Sequence, residues 1–347
     1  MPSTPQDELT IAAPDDWHLH LRDGETLRAV LPFTARVFRR AIIMPNLDPP
    51  VTDVALCAAY RERILRAAPP GFEPLMTLYL TEQTTPQTIA DAAACGFVHG
   101  VKLYPKDTTT HSGAGVGDTG KIGGVLEAMQ RHDLPLLIHG EAAGAGIDPF
   151  DREKIFLDKT LIPLRADFPA LRVVLEHITT SDAADYIAGA GERSAATITP
   201  HHLLYSRSAL FDGGLRPHRY CLPLPQREAH RRALVAAACG GSASFFLGTD
   251  SAPHARHDKE SACGCAGVFN APAALGLYAA IFEQAGALDR LEAFASLNGP
   301  RFYRLPVNRD RITLVREAET VPRRVAAGGA EIVPLLGGRE VAWRVRR

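Results

Sequence analysis

Val173-Val-Leu-Glu-His177 is an apolar run that ends on a carboxylate and an imidazole. Leu136-Leu-Ile-His139 has the same form. Short runs without polar alternation read as strands buried on both faces, the kind that parallel sheets use. Working outward, six further segments read as strands: Trp17 to Leu21, Arg40 to Pro45, Pro74 to Leu80, Gly100 to Tyr104, Ala195 to Pro200 and Ser244 to Thr249. The two quoted runs extend to Leu134 to Gly140 and Arg172 to Ile178. Between and after them lie helical patterns: Thr26 to Arg39, Thr52 to Ala67, Pro86 to Ala94, Gly123 to Arg131, Asp151 to Arg165, Ser181 to Ala188 and Arg227 to Ala238, then Pro272 to Glu283 and Asp289 to Leu297. Eight strands alternating with helices predict an α/β fold, a (β/α)8 TIM barrel. Residues 310–347 carry short extended patterns and read as a C-terminal segment packed on the barrel, within one domain spanning 1–347. A doubly wound open sheet is the alternative, but its glycine-rich phosphate turn after the first strand is missing.

Composition narrows the function classes. The formal net charge is -1, which gives no reason to expect nucleic acid or an anionic membrane as partner. No run approaches the roughly 20 apolar residues that span a bilayer. Met1 to Thr10 is polar and lacks a basic-then-apolar signal, so a cytoplasmic location is expected. Six cysteines in 347 residues read as free thiols in a reducing compartment. Only six of the 38 basic residues are lysines, which draws attention to each of them.

The polar residues that interrupt the apolar runs fall at strand ends. His18 and His20 belong to the first strand, Lys102 to the fourth, His139 to the fifth, His177 to the sixth and Asp250 to the eighth. Barrel enzymes build their sites at C-terminal strand ends. Residues two apart on a strand share a side, so His18 and His20 can reach one metal. Imidazole and carboxylate are good zinc ligands. A lone histidine at a strand end is ordinarily a hydrogen-bonded rim residue; four with an aspartate around one barrel point to a metal centre. Lys102 lies between Val101 and Leu103, where burial would lower its pKa and free the amine. Such an amine can add carbon dioxide, and the resulting carbamate could bridge two cations. His201 and His202, and Asp15, Asp16 and Asp23, rank behind these as supporting or turn residues. Cys263 and Cys265 read as part of a structural loop.

Longer motifs carry a resemblance. Met44-Pro-Asn46, Lys102-Leu-Tyr-Pro105, Glu176-His-Ile-Thr-Thr180, Gly248-Thr-Asp-Ser-Ala-Pro-His-Ala-Arg-His257 and Cys263-Gly-Cys-Ala-Gly-Val-Phe-Asn-Ala-Pro272 resemble the monofunctional bacterial dihydroorotases of the amidohydrolase superfamily. The likeness runs from about Asp15 to Arg347. It implies zinc-dependent, reversible closure of N-carbamoyl-L-aspartate to L-dihydroorotate in pyrimidine synthesis. It implies two zinc ions, one held by His18, His20, Lys102 and Asp250 and the other by Lys102, His139 and His177. N6-carboxylated Lys102 and a hydroxide would bridge them, with Asp250 as proton shuttle. By the same resemblance Arg22, Asn46 and His254 bind the substrate carboxylate. Leu222 and Ala266 contact the ring through their backbones, and Thr109 and Thr110 touch substrate from a mobile loop. Lys106 to Gly115, rich in small polar residues, suits such a lid. The resemblance also implies a homodimer. Other cyclic-amide hydrolases, of hydantoinase or allantoinase type, remain open alternatives, as does a non-catalytic scaffold subunit.

Overall fold

The computed structural model describes residues 7–346; residues 1–6 of the polar N-terminal stretch, and residue 347, lie outside the described residues. Eight strands form one parallel sheet in sequence order: β1 (Asp15–Leu19), β2 (Arg40–Ile43), β3 (Glu73–Tyr79), β4 (Val98–Leu103), β5 (Leu136–His139), β6 (Val173–Glu176), β7 (Ser194–Ile198) and β8 (Phe245–Leu247). The sheet closes on itself past the ends of β1 and β8, where Asp250 N–H donates to the His18 carbonyl at 2.8 Å. His20 N–H donates to the Ser251 carbonyl at 3.1 Å across the same seam. The architecture is the (β/α)8 barrel read from the sequence.

Period-two alternation sorts the strand residues. Leu136, Ile138, Val173 and Leu175 pack outward with helix residues such as Leu126 and Ile187. Leu137, Val174, Trp17 and Phe246 fill the barrel interior. Phe302 and Tyr303 join that interior cluster from the helix Asn298–Tyr303, and Trp17 stacks on Tyr303 at 4.4 Å. One end of the barrel is thus plugged with apolar side chains, and the polar strand ends gather at the other.

The helices follow local chemistry. Val54–Ala67 begins where the Asp53 carboxylate accepts from Leu56 N–H, and Pro86–Ala94 begins where Thr85 accepts from Thr88 N–H. The stretch read as one helix from Asp151 to Arg165 is interrupted by a π-helical segment, Leu157–Leu161. Pro163 follows directly and has no N–H for an α-helical turn, so the winding loosens ahead of it. Asp289 to Leu297 likewise divides into the 3-10 turn Leu288–Arg290 and the π segment Ala293–Leu297.

Residues 310–346 pack on the barrel through a sheet that the sequence reading did not foresee. The strand Arg311–Val315 lies between Glu8–Ala12 and Arg344–Val345, antiparallel to both. Glu8–Ala12 went unread as a strand because its first residues alternate with solvent-facing polar ones and end in alanine.

At the base of β1 the Arg40 guanidinium grips Asp15 through two hydrogen bonds of 2.9 and 2.6 Å, and Asn308 donates to the same carboxylate at 2.8 Å. Arg40 also donates to the Pro306 carbonyl, so this buried pair ties the first two strands to the C-terminal segment. Removing one partner of such a pair strands a buried charge. Arg40→Met is expected to lower the unfolding free energy by about 3–5 kcal/mol in urea titrations. A loss below about 1 kcal/mol would mean the pair behaves as a solvated surface bridge.

Candidate active site

The seam that closes the barrel also carries the first donor cluster. His18 Nδ1–H donates to Glu176 Oε2 at 2.8 Å, and His20 Nδ1–H donates to Asn46 Oδ1 at 2.8 Å. In neutral rings both Nε2 atoms therefore carry lone pairs. They lie 3.3 Å apart, and 3.4 and 3.2 Å from Asp250 Oδ1. Three electron-pair donors converge with no proton to share between these rings and the carboxylate, and all three residues are buried. A cation among them is the arrangement that relieves their mutual repulsion.

A second pair stands opposite. His139 Nε2–H donates to Glu141 Oε2 at 2.7 Å, which turns His139 Nδ1 toward His177 Nε2 at 3.2 Å. The rings of His18 and His177 are 5.0 Å apart, so the two clusters share one chamber. Burial holds His20 down to about 3, and it lowers His139 and, with His139 beside it, His177. The imidazoles are thus kept neutral, the form that binds metals.

Lys102 sits inside β4, fully buried, and its Nζ has no hydrogen-bond partner. Burial pushes the amine down to about 8 against the opposing pull of Glu176 and Asp250. Nζ lies 5.1 Å from the centre of the Tyr104 ring. An orphaned buried amine beside four histidines and an aspartate fits a group that binds metal after modification, and the donor set as a whole suits a borderline-soft divalent ion such as zinc.

The chamber opens into a narrow cavity. Arg22, Asn46, Thr109, Thr110, Leu222 and Ala266 line it together with His18, His20, His139, His177 and Asp250. His254 stands behind Arg22: its Nε2 is 3.0 Å from Arg22 Nη2 and 3.0 Å from the Ala266 carbonyl. All thirteen residues singled out in the sequence thus gather at one mouth of the barrel. Arg22, His177 and Asp250 hold φ of +59, +42 and +44°. Left-handed backbone costs an L-residue roughly 1–2 kcal/mol, and here it turns strand-end side chains inward. The segment Lys106 to Gly115 lies folded over the cavity. Thr110 Oγ1–H donates to the Ala266 carbonyl, Asn46 donates to the Thr110 carbonyl, and Tyr79 donates to the His111 carbonyl.

The sequence reading assigned no role to the carboxylates behind the rings. Glu176 and Glu141 are each 1% exposed. A charged residue inside the run Val173-Val-Leu-Glu was the available signal for the first; Glu141 has the same two-residue offset from His139 that links His18 to His20. Asp16 accepts from Thr249 N–H at 2.8 Å and from Thr249 Oγ1–H at 2.6 Å, which braces the seam beside Asp250. Asp23 instead caps the helix Gly24–Ala35. His202 uses both ring nitrogens in hydrogen bonds, to Thr199 and to the Pro223 carbonyl, and so braces the backbone beside Leu222.

The amidohydrolase family model matches residues 11–317. A dihydroorotase of Cupriavidus necator is 61% identical over 341 residues, 98% of this chain and 99% of that protein. The Campylobacter jejuni dihydroorotase structure superposes with a TM-score of 0.91 at 34% identity, covering 99% of both chains. A Saccharomyces cerevisiae dihydroorotase bound to 5-fluoroorotic acid superposes at 0.92, with 32% identity over 98% of this chain and 99% of that one.

The chain belongs to the dihydroorotase family.

Its function is that of the family, the reversible cyclisation of N-carbamoyl-L-aspartate to L-dihydroorotate and water in pyrimidine synthesis. The hydantoinase alternative falls on the same comparison: an L-hydantoinase of Arthrobacter aurescens shares the fold at 0.76 but only 14% of the sequence. Among the described residues no helix is long and apolar enough to cross a membrane.

Glu176 accepts from both His18 and Thr197 Oγ1–H, the latter at 2.6 Å, and so orients a ring of the first donor cluster, a candidate metal ligand. Glu176→Gln should weaken zinc binding about 10–100-fold in chelator competition, because partners behind metal ligands are worth that much. Unchanged affinity would reduce Glu176 to a packing role.

Proposed function

We propose that the dihydroorotase reaction runs on two zinc ions held by His18, His20, Lys102 and Asp250 on one side and by Lys102, His139 and His177 on the other. N6-carboxylation of Lys102 would supply the shared ligand. The observation that carries this reading is the buried Lys102 amine without a partner, facing converging histidine nitrogens. When bound, the metal pair supplies Lewis-acid polarisation of the reacting carbonyl and an activated water at neutral pH.

The chain's own residues do the rest. Asp250 takes the proton from the ureido nitrogen as the new C–N bond forms to the side-chain carboxyl carbon and one C–O bond of that carboxyl breaks, its oxygen leaving as water with that proton and a second from solvent. In ring opening it returns that proton to the departing nitrogen. Arg22, Asn46 and His254 hold the carboxylate that the substrate keeps throughout. Burial keeps His254 down to about 2 and therefore neutral, with its Nε2 3.0 Å from both Arg22 Nη2 and the Ala266 carbonyl. Arg22 lines the cavity and has no carboxylate partner among the described residues, which suits a carboxylate fork. Leu222 and Ala266 present backbone groups to the ring. Thr109 and Thr110 reach the substrate from the folded-over loop, which excludes water when closed. The family resemblance supports a homodimer in the cytoplasm, and the full ligand set argues against a scaffold role. The single-domain division into residues 1–347, with 310–347 as an extension, belongs to the same reading.

Lys102→Ala should lose most activity and most bound metal, with partial rescue by short carboxylic acids added with zinc. Full zinc content and normal turnover in the purified variant would overturn the shared-ligand assignment. For Asp250→Asn the rate should drop about 10²–10⁴-fold, as general acid–base help is worth that much, and the rate loss should exceed the metal loss. A metal-loaded variant with normal turnover would remove Asp250 from proton transfer.

A further inference from the structure

Lys259 is one of six lysines in the chain and, with Lys102, one of two that are buried among the described residues. It ends the short helix Arg256–Lys259 and makes no ion pair with a carboxylate among the described residues. Instead its Nζ donates to three backbone carbonyls: Tyr220 at 2.8 Å, Cys265 at 2.7 Å and Gly267 at 2.8 Å. An ammonium has three N–H groups, and here each has one acceptor. A buried cation is tolerable only with its donors satisfied in this way.

The three acceptors are not scattered. Cys265 and Gly267 flank Ala266, and Tyr220 stands two residues before Leu222. Gly267 N–H also donates to the Tyr220 carbonyl at 3.0 Å, so the two segments are knotted at one point. The carbonyls on either side of Ala266 turn to the ammonium. The Ala266 carbonyl turns the other way, to His254 and Thr110 at the cavity. Cys265 and Gly267 hold φ of +28 and +153°, conformations a free loop would not keep. A side chain at Gly267 would place its Cβ 2.8 Å from the Ala252 carbonyl oxygen and from the His254 ring. The conformation is held from outside the segment, and the ammonium, bonded to the carbonyls on both sides of Ala266, is one of the groups that hold it.

We infer that Lys259 is a positioning residue for ring recognition, its ammonium setting the backbones of Leu222 and Ala266 at the mouth of the active site. This rests on the reading of those two residues as ring contacts. An arginine could not replace it, because a planar fork cannot address three carbonyls gathered about one point.

The test uses the full-length, zinc-loaded enzyme and two variants, Lys259→Met and Lys259→Arg. Lys259→Met should raise the KM for dihydroorotate about tenfold or more with kcat changed less than about threefold, the pattern of lost substrate binding without lost chemistry. Zinc content should be unchanged, and amide hydrogen exchange should accelerate at 220–222 and 265–267. Lys259→Arg should shift KM in the same direction, and it carries the test if the methionine variant does not fold. Normal KM with normal exchange in a folded variant overturns the inference. A lowered melting temperature with normal KM also overturns it, since Lys259 would then only stabilise. The underlying reading is checked separately in the unsubstituted enzyme, where added dihydroorotate should slow exchange at 220–222 and 265–267. No protection there would refute the ring contacts whatever the variants do.

Discussion

Barrel closure is the constraint on which the site depends. A parallel sheet of eight strands must join its first strand to its last, and this one does so with hydrogen bonds made by the donor-cluster residues themselves. Asp250 N–H to the His18 carbonyl and His20 N–H to the Ser251 carbonyl are backbone bonds of the seam. The side chains of the same three residues form the first donor cluster. Their geometry is therefore as stiff as the fold. Asp16 reinforces it from beneath by holding Thr249 and the His18 N–H. Three mutually repelling electron-pair donors can be kept within 3.4 Å only because the backbone leaves them nowhere to relax.

Behind the donors stands a second constraint, set by protons. Glu176, Glu141 and Asn46 each take the outward N–H of one ring, which fixes the tautomer and points the other nitrogen inward. Burial then keeps His20 and His139 neutral. The same burial lowers the Lys102 amine to about 8, within reach of its reactive form near neutral pH. A single physical cause, exclusion of water from the upper barrel, prepares imidazoles and amine alike.

Much of this was legible in the sequence. The eight strands announce themselves as short apolar runs, since a strand buried on both faces has no polar alternation to blur it. Three runs end on or beside a residue of the site, so His139, His177 and Asp250 stood out by position, whereas His18 lies inside its run and stood out by its two-residue spacing from His20. The carboxylates behind them were harder, because Glu141 lies past the end of its strand and Glu176 looks like any charge in a quoted motif. Their roles depend on which neighbour they face across the barrel, and that is set by register. Glu8–Ala12 was missed for a related reason: its partner, Arg311–Val315, lies at the far end of the chain, and edge pairing leaves little local pattern. The π-helical turns could have been suspected at Pro163 but not located.

The division between strands and loops also bears on what the enzyme chooses. The metal-facing residues sit on or beside barrel strands, and hydantoinases share that barrel with little sequence in common. The fold therefore cannot select the ring. Arg22, Asn46, Leu222, His254 and Ala266 all lie beyond strand ends, in connections that only isolated bridges such as Ser251 to Val268 join to the sheet. Loops of this kind are mobile unless something holds them. Here the holding is done by discrete polar contacts: Asn46 between His20 and Thr110, His202 on the Pro223 carbonyl, and Lys259 on three carbonyls at once. On the proposed reading, a carboxylate-bearing ring would be read by backbone and side chains that the barrel does not place. Selectivity would then rest on the buried polar residues that tie those loops to it.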